Sequence, residues 1–328
     1  MKLRCAGALC ALLFAVSYGT AEANAQATAD SAEAHLALAK AAARQDYTGL
    51  FNSLCIQERG TEGQRAAAPR ANPPASEWHT EPVKVFDNLY FLGSKPVSAW
   101  AVTTSEGIIL IDSLHDYMVE DEIVNGMKKL GLDPAKIKYL LITHAHGDHF
   151  AGAKYLQEHF GPRVLMSAAD WDHMERVRAS AKPRRDMAAT DGQKLTLGDT
   201  TLTLYVTPGH TPGTISSLIP VKDGGKQHLA AMWGGMVYNF PKTPENFKIY
   251  SNSAQRFSAI VAKAPVDVVI TGHSNQDNTF EKIEALKARK PGGPHPFVVG
   301  NDSMKRLLQV VGGCATVKRL QLPAAAKQ

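Results

Sequence analysis

After Val16 the chain has no apolar stretch of the roughly 20 residues that a membrane-spanning helix needs, so no spanning helix is expected in the mature protein. The one apolar run near the start, Ala6 to Val16, is too short to span a bilayer. It follows Lys2 and Arg4 and precedes the small residues Ala21, Ala23, Ala25 and Ala27. Ala23-Asn24-Ala25 and Ala25-Gln26-Ala27 both fit a small-x-small cleavage site, so residues 1–27 read as a signal peptide. The expectation is an exported, periplasmic protein with no membrane association after signal removal; an uncleaved N-terminal anchor is the alternative. Cysteine is scarce, at four in 328 residues. Cys5 and Cys10 leave with the signal. Cys55 and Cys314 are an even pair for an oxidising compartment, but sequence alone does not bring their Cα atoms together. Neither lies at metal-ligand spacing from a histidine. There is no G-x-S-x-G elbow, so nothing marks a serine nucleophile. A clustered basic patch is also missing. Formal net charge is +5, and loss of Lys2, Arg4 and Glu22 lowers it to about +4. The densest run, Lys182-Pro183-Arg184-Arg185, reads as a solvated loop, and no nucleic-acid partner is expected.

What remains is long enough for one large core or two modest ones. Residues 28–81 form an N-terminal segment. Ala32 to Cys55 is Ala- and Leu-rich and predicts a helix capped by Asp30 or Ser31. Glu58 to Glu77, with Gly60, Gly63, Pro69, Pro73 and Pro74, predicts a linker. Residues 82–322 have the composition of a packed domain, and 323–328 form a tail. Within the domain, strands are predicted at 83–92 (two, with a turn), 98–103, 108–112, 137–142, 163–166, 193–197, 201–206, 214–219, 228–233 and 266–271. Helices are predicted at 118–130, 150–160, 169–178, 254–263, 280–289 and 303–311. Strand clusters with helices at intervals predict two sheets packed face to face with helices outside, a four-layer α/β/β/α sandwich.

The domain is organised around Thr143-His144-Ala145-His146-Gly147-Asp148-His149, on the loop leaving the apolar strand Ile137 to Ile142. Ligand sites of α/β sheets form at such C-terminal strand ends. Three imidazoles and a carboxylate so close together are costly to bury without a partner, and a divalent metal supplies one. His210 follows another strand, in a turn stiffened by Pro208 and Pro212 and shaped by Gly209 and Gly213. His273 follows the apolar strand ending at Thr271. These make six donors, too many for one tetrahedral zinc with an open position and suited to two. Alternate residues of an extended segment point the same way, so His144, His146 and His210 are assigned to a first zinc. Asp148, His149 and His273 are assigned to a second. His115 reads as structural or exposed, as do His35, His79, His159, His173, His228 and His295. Asp112 and Asp191 are candidates to accept hydrogen bonds from ligand rings.

H-x-H-x-D-H, then G-H-T-P-G, then G-H, each after a strand, together resemble the metallo-β-lactamase superfamily over about Pro82 to Leu322. The resemblance implies the αββα fold with a dinuclear site along one edge of the paired sheets. Glyoxalase-type thioesterases and lactonases of this fold carry a bridging Asp at the strand end between the last two motifs; Ala230 to Tyr238 contains no carboxylate. A site of His and Asp alone resembles the third subclass of class B β-lactamases. So do His144 to Gly152 and the pair Arg256-Phe257. The resemblance then implies a zinc-dependent hydrolase of small molecules that opens the β-lactam ring by attack of a metal-bound hydroxide on the lactam carbonyl. Asp148 would bind the second zinc and orient that hydroxide. Serines that hold the substrate carboxylate in that subclass are replaced here by Gly235 and Val237, leaving Tyr238, Asn239, Ser274 and Asn275 as substrate-contact candidates. A same-fold hydrolase of another ester or amide, such as a lactone, and an exported zinc-binding protein with little catalysis are the alternatives.

Overall fold

The computed structural model describes residues 30–57, 74–177 and 181–323. The expected signal segment, most of the expected linker and nearly all of the expected tail lie outside them. Twelve strands form two sheets among the described residues. The first sheet holds β1 (Val83–Lys84), β2 (Leu89–Phe91), β3 (Trp100–Thr104), β4 (Gly107–Ile111), β5 (Ile137–Leu141), β6 (Arg163–Ser167) and β7 (Met187–Ala189), in chain order. Its first four strands are antiparallel neighbours and β4 to β7 run parallel. The second holds β8 (Lys194–Leu197), β9 (Thr200–Val206), β10 (Ile215–Asp223), β11 (Lys226–Trp233) and β12 (Val268–Thr271), in the order β12-β11-β10-β9-β8, with only β11 and β12 parallel.

Alternation along the strands explains why the sheets stack. Ile109 and Ile111 of β4, Leu141 of β5, Met232 of β11 and Ile270 of β12 share the core between the sheets with Trp100 and Phe91. The next residues along, Leu110, Leu140 and Ile142, belong to a second core beneath the helices on the first sheet's outer face. Ala231, Trp233 and Val269 belong to a third core on the outer face of the second sheet. A period of two with both faces buried makes each sheet a middle layer, so the four-layer αββα sandwich is the observed architecture.

The helices are α1 (Ala32–Ala43), α2 (Thr48–Phe51), α3 (Ala75–Trp78), α4 (Gly126–Lys129), α5 (Gly147–Phe150), α6 (Ala153–Phe160), α7 (Ala168–Arg176), α8 (Pro244–Ala262), α9 (Thr279–Lys287) and α10 (Asn301–Gln321). None is long and apolar enough to cross a membrane. Ser31 caps α1 by accepting from the Ala34 amide. The predicted helix to Cys55 breaks after Ala43, where Arg44 takes φ 44°, and the buried Tyr47 hydroxyl pairs with Ser303. The 118–130 helix is mostly a π-helical segment, Val119–Asn125, followed by α4. Helix α8 begins ten residues before the predicted start: Thr243 accepts from the Asn246 amide and Pro244 occupies the first turn, the cap and proline of an ordinary helix start. Helix α10 runs on through Gly312 and Gly313 because those glycines are packing surfaces. A Cβ on Gly312 would lie 3.0 Å from the Ala254 Cβ, and one on Gly313 3.2 Å from the Ala39 Cβ. The π-helical segment Asn52–Ile56 packs on α10, where Cys55 and Cys314 form a disulfide, Cα atoms 4.8 Å apart.

Candidate metal centre

Four loops at C-terminal strand ends meet along one edge of the two sheets. The loop after β5 brings His144 and His146 and runs into α5 with Asp148 and His149; the loop after β9 brings His210, that after β12 His273, and that after β4 Asp112. Close approach is built into the backbone. A Cβ on Gly152 would lie 2.2 Å from the Ser113 carbonyl oxygen, and one on Gly235 2.3 Å from the His210 Cβ. Asp112 and Leu114 hold φ of 62° and 59°, conformations that ordinary residues keep only where the surroundings enforce them.

Two triads result. His144, His146 and His210 form one, Asp148, His149 and His273 the other; within each, the candidate ligand atoms lie within 4.8 Å of one another. His210 Nε2 is 3.0 Å from both His144 Nε2 and His146 Nδ1. His149 Nε2 is 3.3 Å from His273 Nε2 and 3.5 Å from Asp148 Oδ2. The far sides of the rings fix the tautomers. His210 Nδ1 donates to the Val237 carbonyl and His273 Nδ1 to the Pro96 carbonyl. His149 Nδ1 donates to Asp112 Oδ2 at 2.8 Å. The Thr143 hydroxyl donates to Asp112, so its oxygen accepts from His144 Nδ1 at 3.0 Å. Each of these four rings therefore aims an Nε2 lone pair into the centre. Facing lone pairs at such distances repel unless a cation stands between them, and imidazole with carboxylate is a zinc-type donor set.

Charge at the centre follows the same geometry. Burial holds His144 and His210 well below the ordinary histidine value and His146 at about 4. Burial alone would also lower His149, but Asp148 and Asp112 outweigh it and push it up to about 10. Burial would raise Asp148; the His149 charge and hydrogen bond outweigh it and hold the carboxyl well below its usual range.

The model of the metallo-β-lactamase superfamily matches residues 92–224. Among solved structures, a mutant of the metallo-β-lactamase FEZ-1 from Legionella gormanii superposes with a TM-score of 0.63 at 25% identity, covering 75% of this chain and 95% of that one. The subclass B3 metallo-β-lactamase BJP-1 of Bradyrhizobium japonicum superposes with a TM-score of 0.57 at 26% identity, covering 70% and 89%. Residues 92–224 match the metallo-β-lactamase superfamily, and the fold is the one these solved metallo-β-lactamases have. The triads and this metallo-hydrolase match together imply a bound divalent metal. Curated relatives point elsewhere within the superfamily. A hydroxyacylglutathione hydrolase of Acidiphilium cryptum is 31% identical over 144 residues, 42% of this chain and 51% of that protein. Another from Pseudomonas putida is 29% identical over 161 residues, 48% and 54%. The chain spans about half the length of these two relatives.

Around this centre the remaining candidates divide. Tyr238 is corrected: it is buried, with its hydroxyl donating to the Val311 carbonyl on α10. Ser274 is corrected too, since its buried hydroxyl donates to the Ser94 and Lys95 carbonyls. In both, an internal carbonyl takes the hydroxyl that a substrate would need. Asn239 is exposed and lines a cavity of about 560 Å³ against His210, with His173, Pro208, Phe240, Asn246 and Ile249. Asn275 is exposed on the loop after His273. Asp112 accepts from a ligand ring, whereas Asp191 pairs with Arg256 and the Val206 amide. His173, read as structural or exposed, is half-buried on the cavity wall. His115 stacks on Tyr117 and feels the Asp148 charge from the site's edge. Sequence reasoning missed Thr143, the Val237 and Pro96 carbonyls and His173. Thr143 alone carried a signal, as a hydroxyl preceding the first ligand.

Proposed function

We propose that this chain is an exported β-lactamase that holds two zinc ions, His144, His146 and His210 on one and Asp148, His149 and His273 on the other. The observation that carries the choice of substrate is the glycine pair ending β11. A Cβ on Gly234 would lie 1.9 Å from the Ile215 carbonyl oxygen, and one on Gly235 meets the His210 ring. Neither glycine has room for a larger side chain on this backbone, which supports reading the donor set as the His/Asp set that resembles the third β-lactamase subclass. Bound divalent cations supply Lewis acidity and a water that ionises near neutral pH. The protein's own part is orientation. Asp148, ionised and partly exposed, would accept a hydrogen bond from a water at the centre and orient it. The cavity beside His210 would receive the lactam, with the exposed Asn239 amide on its wall as a hydrogen-bonding group.

A thioester hydrolase is the second reading, favoured by the hydroxyacylglutathione hydrolases among the relatives. Metal-replete full chain, assayed with a chromogenic cephalosporin, a hydroxyacylglutathione and an acyl-homoserine lactone, separates the readings. The expected result is cephalosporin turnover with the highest kcat/KM, abolished by chelator and restored by zinc. Turnover of the thioester or lactone alone would replace the β-lactam reading, and no metal-dependent turnover of any of the three would leave a zinc-binding protein.

A further inference from the structure

Asp170, in the first turn of α7, is fully buried and belongs to neither triad. Its position three residues after the helix cap Ser167, whose hydroxyl accepts from the Asp170 amide at 3.1 Å, suggests a capping box. Its carboxylate does something else. Oδ2 accepts from the Ala145 amide at 2.9 Å and the Thr211 hydroxyl at 2.6 Å, and Oδ1 accepts from the Gly213 amide at 2.7 Å. Ala145 stands between His144 and His146, and Thr211 follows His210. One carboxylate therefore ties the loop after β5, in the first sheet, to the loop after β9, in the second, where the first triad assembles. All three partners are donors, so the site calls for a group that only accepts. Asp112 plays the matching part behind the second triad, accepting from the His149 ring and from the Thr143 amide and hydroxyl.

We propose that Asp170 is a positioning residue for the first metal triad, setting the spacing between the His144–His146 loop and His210 and setting a negative charge behind the cation they hold. This rests on the two-triad metal reading. The test is metal binding by the full chain, measured by competition with a chromogenic chelator for zinc and by visible spectra of the cobalt(II) form. His210→Ala and His273→Ala, each leaving one triad whole, identify which equivalent is which. Asp170→Asn turns an amide NH2 toward at least one donor. It is expected to weaken the first equivalent about 10- to 100-fold, perturb its cobalt spectrum and leave the second unchanged. Ser167→Ala, which removes the cap of the same helix but leaves the carboxylate in place, is expected to lower Tm and leave both equivalents unchanged. Thr211→Val removes one of the three contacts and keeps the charge; it is expected to weaken the first equivalent alone, by less. Equal weakening of both equivalents in Asp170→Asn, no weakening, or the same pattern in Ser167→Ala would overturn the role of Asp170. If Asp170→Asn does not fold, an unchanged first equivalent in Thr211→Val does so. Fewer than two equivalents in the unsubstituted chain would overturn the metal reading beneath it.

Discussion

His210 is the most constrained side chain of the centre. Its Nδ1 is bound to the Val237 carbonyl, its Nε2 faces both His144 and His146, and Gly235 leaves no space behind its ring. Two predictions belong here. His210→Ala is expected to lose one of two zinc equivalents and nearly all turnover, read by metal analysis and a cephalosporin assay. Retention of both zincs with full activity would reject the ligand assignment. Gly235→Ala adds a methyl where the His210 Cβ stands 2.3 Å away. Overpacking of this kind costs about 1–3 kcal/mol, and here the strain falls on a ligand ring. The variant is expected to fold, with lower Tm, and to lose more kcat than a cavity-wall change such as Ile249→Ala. An unchanged kcat would show that the glycine pair does not constrain the centre.

At the scale of elements, the helices on the second sheet are held by close contact and one covalent link. Cys55 and Cys314 are 259 residues apart in sequence, so reduction frees a very long loop in the unfolded chain. Removing a native disulfide typically costs about 2–5 kcal/mol. Cys55→Ser with Cys314→Ser is expected to lower Tm and leave turnover at low temperature unchanged, because neither residue touches the triads. Equal Tm values with and without reductant would contradict this. Which elements were legible follows from their physics. The apolar run 137–142 and the strand at 266–271 read as buried strands because both faces are covered. Helix α10 passes its predicted end at residue 311 because local propensity cannot see that Ala39 and Ala254 need the missing side chains of Gly312 and Gly313. Strand β7 was illegible: Met187–Ala189 is three residues long and earns its place only by pairing with β6. The six donor positions were legible because their loops follow strong strands. Tyr238 and Ser274 were misread because sequence gives proximity to a ligand and not the direction of a hydroxyl.

Across the whole molecule, the sheets share one apolar core, and the triads draw donors from both of them. Long-range ion pairs also hold distant segments together. Arg289, just after α9, forms two hydrogen bonds to Asp223 at the end of β10, at 2.8 and 2.6 Å. The Arg289 hydrogen bond and charge hold the Asp223 carboxyl below its ordinary value. A carboxyl depressed in the folded state contributes stability above its unfolded pKa and loses it as pH falls through the folded one. Asp223→Asn is therefore expected to flatten the acid limb of a Tm-against-pH curve below about pH 4, with little change in the shape of the curve at neutral pH. An acid limb of unchanged slope would show that the pair is not coupled to folding. The central claim is the paired metal centre, and the most direct measurement is zinc content per chain after dialysis of the zinc-loaded protein. Two equivalents in the unsubstituted chain and one in each of His210→Ala and His273→Ala are predicted. One equivalent or none in the unsubstituted chain, or two retained in either variant, would contradict it.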